Sequence, residues 1–189
     1  MDIKIKNALH SRELQDILSR TDIQYWLKYE LLSWNWWILV LFAILPWVIW
    51  IRIFDRKRTM ELILFGALVV IPTTYLDAIG NDLRFWMYPT ELIPVTPRAI
   101  AFDMSLVVVP YMLIYQYFSF WKSFIIALVS MAFIFAFIGE PISHLLHLVY
   151  YFKWKYIYSF VYYIVLGLVG KAILEKVKKM YSLNNLGKR

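Results

Sequence analysis

Long apolar stretches separated by short polar ones organise this chain. Five of them approach the roughly 20 residues that cross a hydrocarbon core: 36–54, 60–79, 99–118, 123–138 and 156–174. Backbone groups in lipid must be satisfied within their own segment, so each run predicts a helix. The fold class is therefore all-α, a polytopic transmembrane helical bundle of about five spans. Trp34, Trp36 and Trp37 at one end of the first run and Trp50 near the other read as interfacial anchors, and Pro46 predicts a kink between them.

The start of the chain has a different pattern. Leu14, Ile17, Leu18, Ile23, Trp26, Leu27 and Leu31 recur at roughly helical spacing, interrupted by Thr21 and Asp22. This predicts an amphipathic helix at the membrane interface ahead of the spans, and Thr21 followed by Gln24, a capping-box pattern, predicts a joint within it. Three parts result: an amphipathic segment 1–33, a bundle 34–175 and a basic tail 176–189.

Two connections stand out. Residues 80–98 carry Pro89, Pro94 and Pro97 with Trp86 and Tyr88, a composition that stiffens a loop and seats it among headgroups. After the fourth run come Gly139, Glu140 and Pro141, then the apolar stretch 142–152, which either continues the span or re-enters the membrane. Pro141 starts a new helical segment or kinks the old one.

Composition agrees with a bilayer as solvent: 61% of the 189 residues are hydrophobic and 19% aromatic, more than a soluble surface can cover. The formal charge of +7 does not point to nucleic acid, because the basic residues gather at span ends. About eleven Lys and Arg fall on one side (Arg52, Arg56, Lys57, Arg58, Lys122 and the tail from Lys171 onward) against about four on the other, which predicts a cytoplasmic carboxyl terminus and an outside amino terminus. The absence of cysteine excludes disulfides, thiolate metal sites and a cysteine nucleophile. With no basic-then-apolar leader pattern, the mature chain is expected to begin at Met1.

Ionisable residues inside spans are costly, so Asp77, Asp103, Glu140, His144 and His147 are the candidates for chemistry. Asp103 lies nineteen residues before Lys122 and Glu140 eighteen after it, about 28 and 27 Å along antiparallel helices, and Asp77 is about 26 Å from Met60. The three acids should share one level near the outer edge of the hydrocarbon. Glu140, His144 and His147 follow an i, i+4, i+7 pattern, which on a continuous helix presents an acid/base pair or metal ligands on one face. Asp103, Glu140 and His144 are thus the catalytic candidates, with Glu140 or Asp103 as general acid and His144 as base. His144 and His147 are the candidate metal ligands, and Asp77, Asp82, Arg84, Trp86, Tyr88 and Arg98 the candidate ligand-binding set. The competing reading has Asp77, Asp82, Asp103 and Glu140 neutralised by Arg84, Arg98, Lys153 and Lys155 as helix locks. Tyr111, Tyr115, Gln116 and Tyr117 read as belt residues.

The stretch from Asp77-Ala-Ile-Gly through Trp86-Met-Tyr88-Pro89 to Pro97, Asp103 and Pro110-Tyr-Met-Leu resembles the repeat of membrane lycopene-cyclase-type domains, although Arg98-Ala-Ile follows Pro97 where those domains carry a pair of Glu. Trp86-x-Tyr88-Pro89, Asp103, Tyr115-Gln116-Tyr117, Glu140-Pro141 and Tyr158-Ser159-Phe160 more closely resemble an uncharacterised family of small bacterial multi-pass proteins. That resemblance implies a multi-pass protein of the bacterial cytoplasmic (inner) membrane and no particular cofactor. The lipid bilayer is the expected partner. The expected function is an outer-leaflet polar pocket that binds or processes an amphiphilic lipid or isoprenoid. A small ion or solute carrier and a non-catalytic membrane partner are the alternatives, and an oligomer is compatible with all three.

Overall fold

The computed structural model describes residues 2–95 and 97–186. In chain order it holds α1 (Ile3–Tyr25), α2 (Trp34–Ile53), α3 (Thr59–Asp82), strand β1 (Trp86–Met87), α4 (Val108–Tyr117), α5 (Trp121–Ile134), α6 (Glu140–Leu145), strand β2 (Tyr150–Tyr151) and α7 (Tyr156–Leu186). Four continuous helical stretches are long and apolar enough to cross a membrane: Trp34–Ile53, Arg56–Asp82, Trp121–Leu145 and Tyr156–Tyr181. The predicted span 99–118 forms the shorter helix α4 with a π-helical lead-in, Phe102–Val107.

Local chemistry sets several boundaries. The Ser33 hydroxyl accepts from Trp36 N at 3.2 Å and starts α2, while Asp55 caps the 3₁₀ turn Arg56–Arg58 before α3. The predicted joint at Thr21 does not form. Its hydroxyl donates back to Ile17 O at 2.9 Å inside an unbroken helix, which ends instead in a π-helical turn, Trp26–Glu30. No residue of α1 is buried.

Two π-helical widenings shape the bundle: Phe102–Val107 before α4 and Phe135–Gly139 between α5 and α6. Each precedes a proline, Pro110 or Pro141, whose missing N–H interrupts the regular ladder. Pro141 therefore neither ends nor restarts the helix, which runs on to Leu145. The chain beyond it turns back rather than continuing or re-entering as a helix: β2 pairs antiparallel with β1, setting Trp86 opposite Tyr151 and Met87 opposite Tyr150.

The apolar core lies among α3, α4, α5 and α7, around Phe65, Tyr111, Phe124, Leu128 and Leu174. Gly167 permits the close approach of α7, because a Cβ there would come within 2.5 Å of Leu128 Cδ1. Tyr111 and Tyr115, expected in the interfacial belt, are core residues. The Tyr111 hydroxyl donates to Tyr163 O at 2.6 Å, and Tyr115 stacks on Phe65 with ring centroids 4.4 Å apart. Trp50 is likewise buried and stacked on Phe54. Lys171, only 1% exposed, donates to Ser119 O at 2.7 Å and lies over the Phe124 ring, so this predicted tail-side charge closes the turn after α4.

Candidate functional site

Above that core the helices part around a cavity of about 320 Å³. Asp77 enters it from α3, Asp103 from the first π widening and Glu140 from the end of the second. A π turn inserts an extra residue and re-aims the side chains near it, which helps to bring two of the three acids inward. All three are more than nine-tenths buried, at 7%, 4% and 9% exposure.

Asp77 anchors the roof. Its Oδ1 accepts from Trp86 Nε1 at 3.0 Å and from the Tyr88 hydroxyl. The roof is fastened from the other side by β2, and Trp154 packs edge-on against Trp86 with centroids 5.0 Å apart. Trp154 Nε1 in turn donates to Ser159 Oγ at 2.8 Å. Trp86 and Tyr88 were expected to seat the loop among headgroups; their polar atoms instead point inward to Asp77, because a buried carboxylate is a stronger acceptor than the interface offers. Glu140 Oε1 accepts from the Tyr163 hydroxyl at 3.0 Å, and the Tyr162 hydroxyl donates to Thr73 Oγ1 at 3.2 Å.

One oxygen of each acid (Asp77 Oδ2, Asp103 Oδ2 and Glu140 Oε2) is buried without a hydrogen-bond partner among the described residues. Among the described residues none of the three is in an ion pair. The basic residues expected to neutralise them lie elsewhere: Arg84, Lys153 and Lys155 are exposed, and Arg98 pairs with Asp22 and Glu91. Charge balance at these carboxyls must therefore come from a proton or from a ligand.

Five of the residues singled out in the sequence line the cavity: Asp77, Trp86, Tyr88, Asp103 and Glu140. Asp82 and Arg84 are exposed at the end of α3 and in the turn after it, and do not line it. The i, i+4, i+7 face of Glu140, His144 and His147 is not realised, because the helix stops at Leu145 and His147 follows in a left-handed turn with φ 53°. His144 packs against Tyr150 outside the cavity wall. Among the described residues no group of three or more His, Asp or Glu is arranged to hold a metal ion. The sequence reading missed Thr73, Tyr151, Ser159, Tyr162 and Tyr163. Ser159, Tyr162 and Tyr163 follow i, i+3, i+4 on α7, a hydroxyl stripe inside a span that was a usable signal.

Arg98 belongs to a second cluster, which fastens α1 to the roof loop. It pairs with Asp22 at 2.8 Å and with Glu91; Glu91 N donates to Glu30 Oε2 at 2.7 Å, and Trp26 Nε1 donates to Glu91 O at 2.9 Å. Burial pushes the Glu91 carboxyl from 4.5 up to about 7 against the pull of Arg98, with Glu30 and Asp22 adding to the rise. Burial raises Glu30 as well. The docked state thus holds more protons than the open one between about pH 4.5 and 7. Docking is strongest at the acid end of that window and weakens as pH rises through it. Limited proteolysis of residues 1–33 should be faster at pH 8 than at pH 5, and Glu91→Gln should reduce the difference. Equal rates in the native protein would contradict this electrostatic account.

The fold and site together define an all-α protein with four helices of membrane-spanning length and an acid-bearing cavity under a tryptophan and tyrosine roof. Comparison with protein-family models, with curated proteins and with solved structures gave no match.

Proposed function

We propose that this protein binds an amphiphilic lipid or isoprenoid, holding the ligand's polar end in the cavity while the tail remains in the bilayer. The observation that carries this reading is the cavity itself: three carboxyls from three helical segments meet in a wall that is otherwise mostly apolar and aromatic. Ligand sites in helical bundles have this composition, a few polar groups in an apolar lining. Ile142, on the wall, is 48% exposed, and Phe42, Leu106 and Phe135 are partly so, which suits an opening on the apolar flank of the helices. A carrier would need a polar route through the opposite half, where Phe65, Tyr111 and Phe124 pack tightly.

In this reading the chain crosses the membrane five times, the helix from Phe102 to Tyr117 completing the four longer ones. Its carboxyl terminus is cytoplasmic and its cavity lies in the outer leaflet. The Lys and Arg distribution supports that orientation. The resemblance of Trp86-x-Tyr88-Pro89 and Glu140-Pro141 to a family of small bacterial multi-pass proteins supports a bacterial inner membrane.

The test is extraction of the protein with its surrounding lipid in polymer nanodiscs, followed by mass spectrometry of what co-purifies. One amphiphile should be enriched over bulk lipid with the native chain. It should be lost from Ser143→Phe, which places a ring in the cavity. Recovery of the same bulk lipid mixture from both proteins would end this reading.

A further inference from the structure

We infer that the polar end of the ligand is an organic cation, an amine or quaternary ammonium group, and that the cavity rejects anionic headgroups. The inference rests on the pocket reading above and names the ligand class for that site.

The first support is charge. Asp77, Asp103 and Glu140 line a cavity that, among the described residues, no lysine or arginine lines, and each keeps one buried oxygen without a partner there. Phosphate, diphosphate or carboxylate heads would meet three acids and no compensating cation, an arrangement that discriminates against them. A cationic head gives those acids a counter-charge in a region of low dielectric.

The second support is independent of the acids. The wall presents the rings of Trp86, Tyr88, Tyr151, Trp154, Tyr162 and Tyr163. Aromatic faces attract alkylated ammonium groups, which shed water far more readily than metal ions do. Among the described residues the acids form no metal-holding group. The cavity, at about 320 Å³, lies at the small end of the roughly 300–1,000 Å³ typical of ligand pockets. That space suits a compact organic head whose chain leaves along the apolar flank.

The experiment uses the full chain in nanodiscs of zwitterionic lipid and three probes of equal chain length: dodecyltrimethylammonium, its uncharged tert-butyl isostere and dodecyl phosphate. Binding is read by calorimetry and by the shift in thermal unfolding, and Ser143→Phe corrects for partition into the bilayer. The cation should bind at least about tenfold more tightly than either comparator. Asp103→Asn and Glu140→Gln should each reduce that preference. If the isostere binds as tightly as the cation, the cation inference falls and the pocket reading stands. If the phosphate binds best, the inference also falls. If no probe binds beyond what Ser143→Phe retains, the pocket reading falls as well. Comparison of the three probes on the native chain decides the matter even if a variant does not fold.

Discussion

Gly80→Ala is expected to lower the stability of the folded protein by about 2–5 kcal/mol, although it adds one methyl group to a helix. A Cβ at position 80 would lie 2.1 Å from both Cη2 and Cζ2 of Trp86 and 2.8 Å from Cε2. The indole cannot slide aside, because Nε1 is bonded to Asp77 and Trp154 packs against the ring. The ring must leave, and Asp77 then loses a buried donor. Unfolding in detergent should show the loss, and the roof between α3 and α4 should become open to external protease. Gly139→Ala is the control, since the nearest atom to its Cβ is Ile134 O at 3.6 Å. In a Trp86→Ala background Gly80→Ala should become neutral or slightly stabilising, because the clash is gone and alanine is the better helix former. A Gly80→Ala chain as stable as Gly139→Ala would mean that Trp86 does not pack on α3.

The second large effect is expected at the opposite end of the bundle, from Glu61→Gln. Glu61 receives Tyr115 Oη at 2.6 Å, Lys178 Nζ at 2.7 Å and both Nε and Nη2 of Arg58 at 3.1 Å. It therefore joins α3, α4 and α7 through one carboxylate. Removing its charge strands Arg58 and Lys178. A cost of about 1–3 kcal/mol is expected, below the roughly 3–5 of a fully buried pair because the side chain is 17% exposed. Lys178→Ala should cost less than about 1 kcal/mol, since that side chain is 53% exposed. Unfolding midpoints of the two variants decide the order. Equal losses would show that Glu61 acts through Lys178 alone.

Neither effect was legible in the sequence. Gly80 reads as a loop residue and Glu61 enters no sequence reading at all, because nothing local announces Trp86 or Tyr115 as a partner. Pairing charges by membrane side fails for the same reason. The competing reading pairs Arg98 with the cavity acids on the basis of side alone, yet it pairs with Asp22, 76 residues away. Tyr111 and Tyr115 were placed in the belt by their nearness to a span end, when packing with Phe65 and Phe124 buries them.

What the sequence determined by itself follows from the bilayer: apolar runs that cannot leave backbone groups unsatisfied must be helices, and acids within them are costly enough to be gathered rather than dispersed. Asp77, Asp103 and Glu140 were for that reason found by counting residues along helices of constant rise. Tertiary structure alone decided where those acids point. The π widenings before Pro110 and Pro141 break the 3.6-residue period that sequence counting assumes, and the β1–β2 pairing closes the roof through residues 65 and 63 positions apart, Trp86 with Tyr151 and Met87 with Tyr150. The helix end at Leu145 separates His147 from Glu140, because chain direction after the last helical turn is set by what the loop can pair with and not by the spacing of its histidines.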